Sequence, residues 1–349
     1  MDSNTTLRKE TKNKIRVDYE GKLSFKERMM EKLKASNTWI KAAVNFFRFV
    51  LMLGVSFVIL HPFIAKIAGS FMSKEDVIDS TVAIIPKNAT LDIYKYLAIE
   101  NGYLEALLNT TLLSLFCAIL QTLIACLVGY GLAKFKFKGN KLIMGLVILT
   151  MIIPHATMRS SLIRHFANFD FLKVLVYDYR GIVDITLGGN QLDLLDTFWP
   201  LIILSVFGLA FKNGLYIYMM RQFFKGVPDE LEESAYVDGS GTFRTFFQII
   251  IPLSVPMMIT IFLFAFSWQW TDNFYTTIFF PGESAMKLMP DMYSEIPKSL
   301  TFEGFAGKDL FEDVVRNTAA IMIIAPLVVV YLFCQKYLVQ GIERSGLVG

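Results

Sequence analysis

The sequence predicts an all-α integral membrane protein with six transmembrane helices. Hydrophobic residues make up 54% of the 349-residue chain, charged residues only 19%, and Phe alone occurs 31 times. Soluble domains are rarely so apolar. Six segments are long enough to cross roughly 30 Å of hydrocarbon at about 1.5 Å per residue. One polar, acid-rich loop interrupts them, between the fourth and fifth segments. The net charge of +3 gives no electrostatic footprint for nucleic acid.

The elements follow in order. Residues 1–41 form a charged tail with 11 basic and six acidic side chains, read as a solvated segment with contact to the lipid surface. Ala42–Ala68 is the first span. It is not a signal peptide, because a charged tail precedes it and its apolar run is too long. An external loop, 69–103, leads to a transmembrane core at 104–338. The core holds spans at Leu104–Ala133, Leu142–Ile163, Phe198–Met220, Pro256–Phe280 and Arg316–Tyr337, and residues 339–349 form a short tail. In the third span, Pro154-His155 marks a kink, for which Pro154 alone is sufficient.

Lys and Arg counts set the orientation. With the N-terminus in the cytoplasm, the inner segments carry 20 basic residues and the outer loops (69–103, 164–198, 281–315) carry nine. Both termini and the loop at 221–251 are therefore expected inside. Cys117, Cys126 and Cys334 all fall in apolar spans and read as small packing residues. No set of His, Asp or Glu has metal-ligand spacing, and no catalytic set lies on one side of the membrane. The expectation is a protein that is not an enzyme and needs no cofactor.

The loop from Val227 to Pro252 has a readable structure. Pro228 suits a first helical turn, where its missing N–H costs nothing. Asp229, Glu230, Glu232 and Glu233 then lie near the positive end of the helix dipole. Leu231, Ser234 and Ala235 share a face, with two small side chains that let another surface approach. Gly239 supplies the left-handed conformation that ends a helix. A second helix is expected from Thr242, with Phe243, Phe246, Phe247 and Ile250 on one apolar face. Pro252 disfavours helical geometry at Ile251, so a bend is expected before the fifth span. A headgroup-lying helix fits the Phe face but not the four acids, so a protein partner is expected.

Trp268, Trp270, Asp272 and Asn273 lie in the outer half of the fifth span. An acid within a span is costly and faces a cavity or partner, so these are candidate pathway-lining residues. An interfacial aromatic belt is the alternative reading.

The loop resembles the EAA motif of binding-protein-dependent ABC importer permeases: EAA, three residues, G, nine residues, I-x-L-P. Here Glu233-Ser234-Ala235 is followed at the same spacing by Gly239 and by Ile249-Ile250-Ile251-Pro252, and Asp238-Gly239 fits the family's DG pair. Ser234 and Ile251 are conservative departures. Asn109-Thr110-Thr111, the basic turn ending at Gly139, Trp268–Phe274 and the glycine-ended tail are similar to the carbohydrate-uptake branch, the group of the maltose permease. The segment 164–198, with Asp170, Asp178, Asp184, Asp193 and Asp196, is longer than the family's usual connection.

The resemblance implies a type I importer permease in a prokaryotic plasma membrane. It implies three protein partners: a cytoplasmic ABC ATPase dimer, a second homologous permease and an extracytoplasmic solute-binding protein delivering a carbohydrate. Glu233, Ser234, Ala235, Asp238, Gly239, Ile249 and Pro252 would be the ATPase-coupling residues. Glu233 would pair with a basic group, Ala235 would permit close approach and Gly239 would set the turn. The ATPase lies elsewhere, because the nearest Walker-like stretch, Gly304 to Asp309, is one residue short. A self-contained secondary transporter, which would show inverted repeats and broken helices at mid-membrane, is the alternative.

Overall fold

The computed structural model describes residues 8–10, 16–18, 36–169, 192–280, 286–302 and 304–344. The acidic positions 170, 178 and 184 and the last five residues lie outside these. Two compact units divide the chain after Ala65. In the first, short strands β1 (Arg8–Glu10) and β2 (Arg16–Asp18) pair antiparallel, with Arg8 opposite Asp18. These are the only named strands among the described residues. The other described residues of that unit belong to α1 (Ser36–Gly69), which crosses the division and leaves its apolar side chains, Phe46, Phe47 and Phe57 among them, exposed.

The second unit is helical: α2 (Lys74–Ile78), α3 (Asp92–Glu100), α4 (Tyr103–Lys134), α5 (Asn140–Ile152), α6 (Arg159–Ala167), α7 (Trp199–Val206), α8 (Asn213–Lys225), α9 (Glu230–Val237), α10 (Thr242–Thr245), α11 (Ile251–Trp270), α12 (Phe274–Phe279), α13 (Asp291–Ser294) and α14 (Lys308–Arg344). Four described helices are long and apolar enough to cross a membrane: Trp39–Gly69, Tyr103–Lys134, Thr242–Trp270 and Lys308–Tyr337. The pair Asn140–Ile152 and His155–Ala167 meets the same measure only when taken together, and is bent by 92°. The bend falls at Pro154, as the sequence predicts, because proline lacks the N–H that the ladder needs.

The expected fourth span is not continuous. It consists of α7 and α8, separated by a turn with left-handed residues at Gly208 (φ 72°) and Lys212 (φ 65°). Gly208 donates its N–H to Ser205 and Leu209 donates to Leu204, which closes α7 in a Schellman motif. The fifth span starts earlier than expected, at Thr242, and ends at Trp270.

The core sits where α4 packs against α8 and α11, with α14 packed on α11. Along α4, the buried residues Ala118, Thr122, Ala125 and Gly129 form a stripe of small side chains, which lets helices meet closely. At Gly129 the approach is close: a Cβ there would lie 2.6 Å from the Met220 Cβ. A second apolar cluster joins α7, α12 and the middle of α4 through Leu201, Phe279 and Cys117.

Candidate functional site

The polar loop is built as the sequence implies, up to a point. α8 ends at Lys225, and the turn through Val227 and Pro228 leads into α9. Asp229 starts the helix by accepting the N–H groups of Glu232 and Glu233. At the other end Gly239 has φ 81°, donates to Tyr236, and is followed by a Ser240 N–H bond to Ala235. This is again a Schellman motif, and the left-handed residue at its centre favours glycine.

Two residues of α4 hold α9 in place. The Tyr130 hydroxyl lies 3.1 Å from Glu232 Oε2 and donates to it. Lys134 Nζ donates to the Val227 carbonyl at 2.6 Å and to Asp229 Oδ1 at 2.5 Å, and lies 3.6 Å from Glu232 Oε1. The Lys134 and Glu232 side chains are only 7% and 10% exposed, so this pair is shielded from solvent and salt. Lys134 also sits in the last turn of α4, where a cation complements the helix dipole. Its hydrogen bond and charge, with a further contribution from Lys136, hold the exposed Asp229 carboxyl below the usual carboxylate range. The Tyr130 ring packs on Phe224, Phe135 and Phe246, the last at 4.8 Å. One aromatic ring thus ties α4, α8 and the chain after α9 together.

The loop's residues divide by face. Glu230, Glu233, Ser234, Val237 and Asp238 border an open depression on the outside of α9, and Ser234 turns its hydroxyl back to the Glu230 carbonyl at 2.8 Å. Ala235 and Glu232 are buried on the opposite face. Ala235 therefore packs against its own chain, and the expected face of Leu231, Ser234 and Ala235 is split between outside and inside. The expected Phe face is split as well. Phe246 and Ile250 are buried, whereas Phe243 and Phe247 are 80% and 62% exposed.

A π turn lies at Phe246–Ile250, where Ile251 donates its N–H to the Phe246 carbonyl. The wider turn rotates side chains away from regular helical spacing. It also replaces the expected bend: Ile251 is helical (φ −60°, ψ −53°), and Pro252 sits at the start of α11. Ile249 is half-buried and Pro252 exposed within this run. Sequence reasoning missed Tyr130, Lys134 and Glu232 as a group. The available signal was a Tyr and a Lys four residues apart at the end of an apolar span.

The span-five residues are not equivalent. Trp270 is buried and its indole donates to the Ile323 carbonyl at 2.9 Å, which fastens α11 to α14. Its polar atom is thus satisfied inside the protein. Asp272 is buried and accepts the N–H groups of Tyr275 (3.0 Å) and Thr276 (3.2 Å), capping α12. Asn273 is exposed at the start of α12. Trp268 is exposed and borders a small recess with Gln121, Phe211 and Asp272.

The family profile described as "Binding-protein-dependent transport system inner membrane component" matches residues 103–344, from the start of α4 to the end of α14. The chain belongs to this family. As an inner membrane component of that kind it is a transport subunit, and its broken spans three and four are no sign of a self-contained secondary transporter. It is similar to the polygalacturonan/rhamnogalacturonan transport system permease protein YtcP of Bacillus subtilis, with 26% identity over 84% of this chain and 93% of that protein. A likeness of 26% over 87% of this chain and 95% of the other links it to the galactooligosaccharides transport system permease protein GanQ of the same species. Among solved structures, a chain of a bacterial ABC transporter involved in the import of the acidic polysaccharide alginate superposes with a TM-score of 0.61 at 22% identity, covering 87% of this chain and 98% of that one. The fold is that of a type I ABC permease.

Proposed function

We propose that this chain is a transmembrane permease subunit of an ABC importer for a carbohydrate, and that it forms half of the translocation pathway. A second homologous permease forms the other half, and an extracytoplasmic solute-binding protein delivers the sugar. The subunit lies in the plasma membrane of a prokaryote with both termini cytoplasmic. A separate ATPase dimer grips the loop at 221–251 and hydrolyses the ATP. Family membership supports the importer reading, and the names of the two curated relatives support a carbohydrate.

The observation that carries the coupling role is the mounting of α9. Its outer face presents Glu230, Glu233 and Asp238 in an open depression, while its inner face is held to α4 by Lys134 and Tyr130. An acidic outer face suits a basic groove on a partner, because charge-assisted contacts are strong and directional. A helix held at both faces passes on a displacement as a rigid body. Motion of α9 reaches α4 and, through its packing, α8 and α11.

The test is to tag this chain, extract it in mild detergent and identify what co-elutes. Recovery of an ABC ATPase and a second permease is expected. A chain that elutes with neither would reject the reading.

A further inference from the structure

Spans three and four break at the same place, and a cavity of about 400 Å³ lies between the breaks. This is within the size range of ligand clefts, roughly 300–1,000 Å³. Its walls include His155, Lys212, Asn213, Gly214 and Tyr275. His155 and Tyr275 share a hydrogen bond of 3.0 Å.

Lys212 lies within the apolar run of the fourth span, where a charge is costly and marks a functional site by default. Its backbone is left-handed (φ 65°), an unfavourable conformation for a side chain of this size. Among the described residues it has no ion-pair partner; its ammonium instead lies 4.8 Å from the Phe211 ring and 5.1 Å from the Trp268 ring. Asp272, which shares the recess beside those rings, is engaged by the N–H groups of Tyr275 and Thr276.

Asn213 is fully buried, and neither its amide nitrogen nor its amide oxygen has a partner. An unpaired buried amide needs an explanation. The same residue begins the 13-residue helix α8, and Gly214 and Leu215 in its first turn also border the cavity. The first N–H groups of a helix lie outside its internal ladder and favour an anion.

We infer that this cavity is a subsite for a carboxylated sugar, a uronate unit of the transported oligosaccharide, with Lys212 as its counter-ion. The inference rests on the importer reading and names its substrate class. Lys212 and the α8 N-terminus together favour an anion, and a single lysine matches the single charge of a carboxylate better than a phosphate monoester of nearly two charges. The Asn213 amide can both donate to and accept from sugar hydroxyls. The Tyr275 ring on the cavity wall supplies an apolar face for a sugar ring.

The test uses the intact importer, purified through a tag on this chain and held in nanodiscs. Equilibrium binding is measured for labelled trigalacturonate and for its fully methyl-esterified form, which has the same rings without the charge. The free acid should bind more tightly by about tenfold or more, the scale of one charge-assisted contact. Lys212→Met should abolish that difference and Lys212→Arg should retain it. Equal binding of the two forms by the native importer, a preference that survives Lys212→Met, or binding of neither form would overturn the subsite. A Lys212→Met importer that does not assemble leaves the native comparison to decide. Failure of the importer reading is distinct: the tagged chain would then recover no ATPase, and the subsite would fall with it.

Discussion

The Tyr130 hydroxyl and the Glu232 carboxylate meet at 3.1 Å in a buried contact between the end of one long helix and the inner face of a short one. Lys134, one turn further along α4, completes the site by facing the other Glu232 oxygen at 3.6 Å. The motif residue Glu233, next in sequence, points outward. The two glutamates therefore have different tasks: Glu232 fixes the helix to the body, and Glu233 remains available to a partner.

Removing one member of a shielded charge pair leaves the other desolvated and alone. Lys134→Met is expected to destabilise the importer by about 3 kcal/mol, while the double change Lys134→Met with Glu232→Gln recovers most of the loss. Thermal unfolding of the native chain, Lys134→Met, Glu232→Gln and the double variant in one detergent gives the coupling energy between the two sites. Additive losses would show that the pair does not act as a unit.

Gly239 has open space where a Cβ would go, so its requirement is conformational alone. Gly239→Ala is expected to cost about 1–2 kcal/mol locally, and Gly239→Asn clearly less, because Asn tolerates the left-handed region. Sugar uptake should follow the same order, with Gly239→Asp uncoupling transport from ATP hydrolysis while membrane insertion stays normal. Normal uptake by the Asp variant would remove Gly239 from the coupling mechanism.

Charge reversal on the outer face should act without disturbing the fold. Glu233→Lys is expected to leave the expression level and thermal stability unchanged, since an exposed charge contributes at most about 1 kcal/mol. It should abolish sugar-stimulated uptake and weaken ATPase recovery on the tagged chain. Unchanged uptake would mean that the acidic face of α9 is not the docking surface.

Two glycines on α4 make a matched pair. A Cβ at Gly129 would overlap Met220, whereas one at Gly131 meets nothing within 4 Å. Gly129→Ala should destabilise by about 1–3 kcal/mol through overpacking. Gly131→Ala should be neutral or slightly stabilising, because alanine is the better helix former. Equal melting temperatures for the two variants would contradict the close contact of α4 with α8.

Much of this was legible in the sequence. Hydropathy located the long helices because a span must be apolar over about 20 residues whatever surrounds it. Pro154 located the bend, and Gly239 located the end of α9, because each acts on its own backbone. What failed depended on neighbours. The Phe246 and Phe247 side chains follow one another in the same apolar run, yet packing buries the first and leaves the second exposed. Trp268 and Trp270 look alike in sequence, yet only Trp270 finds a carbonyl to bond, at Ile323.

The sequence by itself determined the class, the long apolar spans and the presence of one acidic, glycine-ended helix between two of them. Those properties are set by composition and local backbone preference, which act over a few residues. The tertiary structure alone decided which acid is an anchor and which is free, where the fourth span breaks, and that Lys212 and Asn213 share a cavity with His155. Those facts need residues far apart in the chain to meet, as Tyr130 and Glu232 do, and no local pattern records such a meeting.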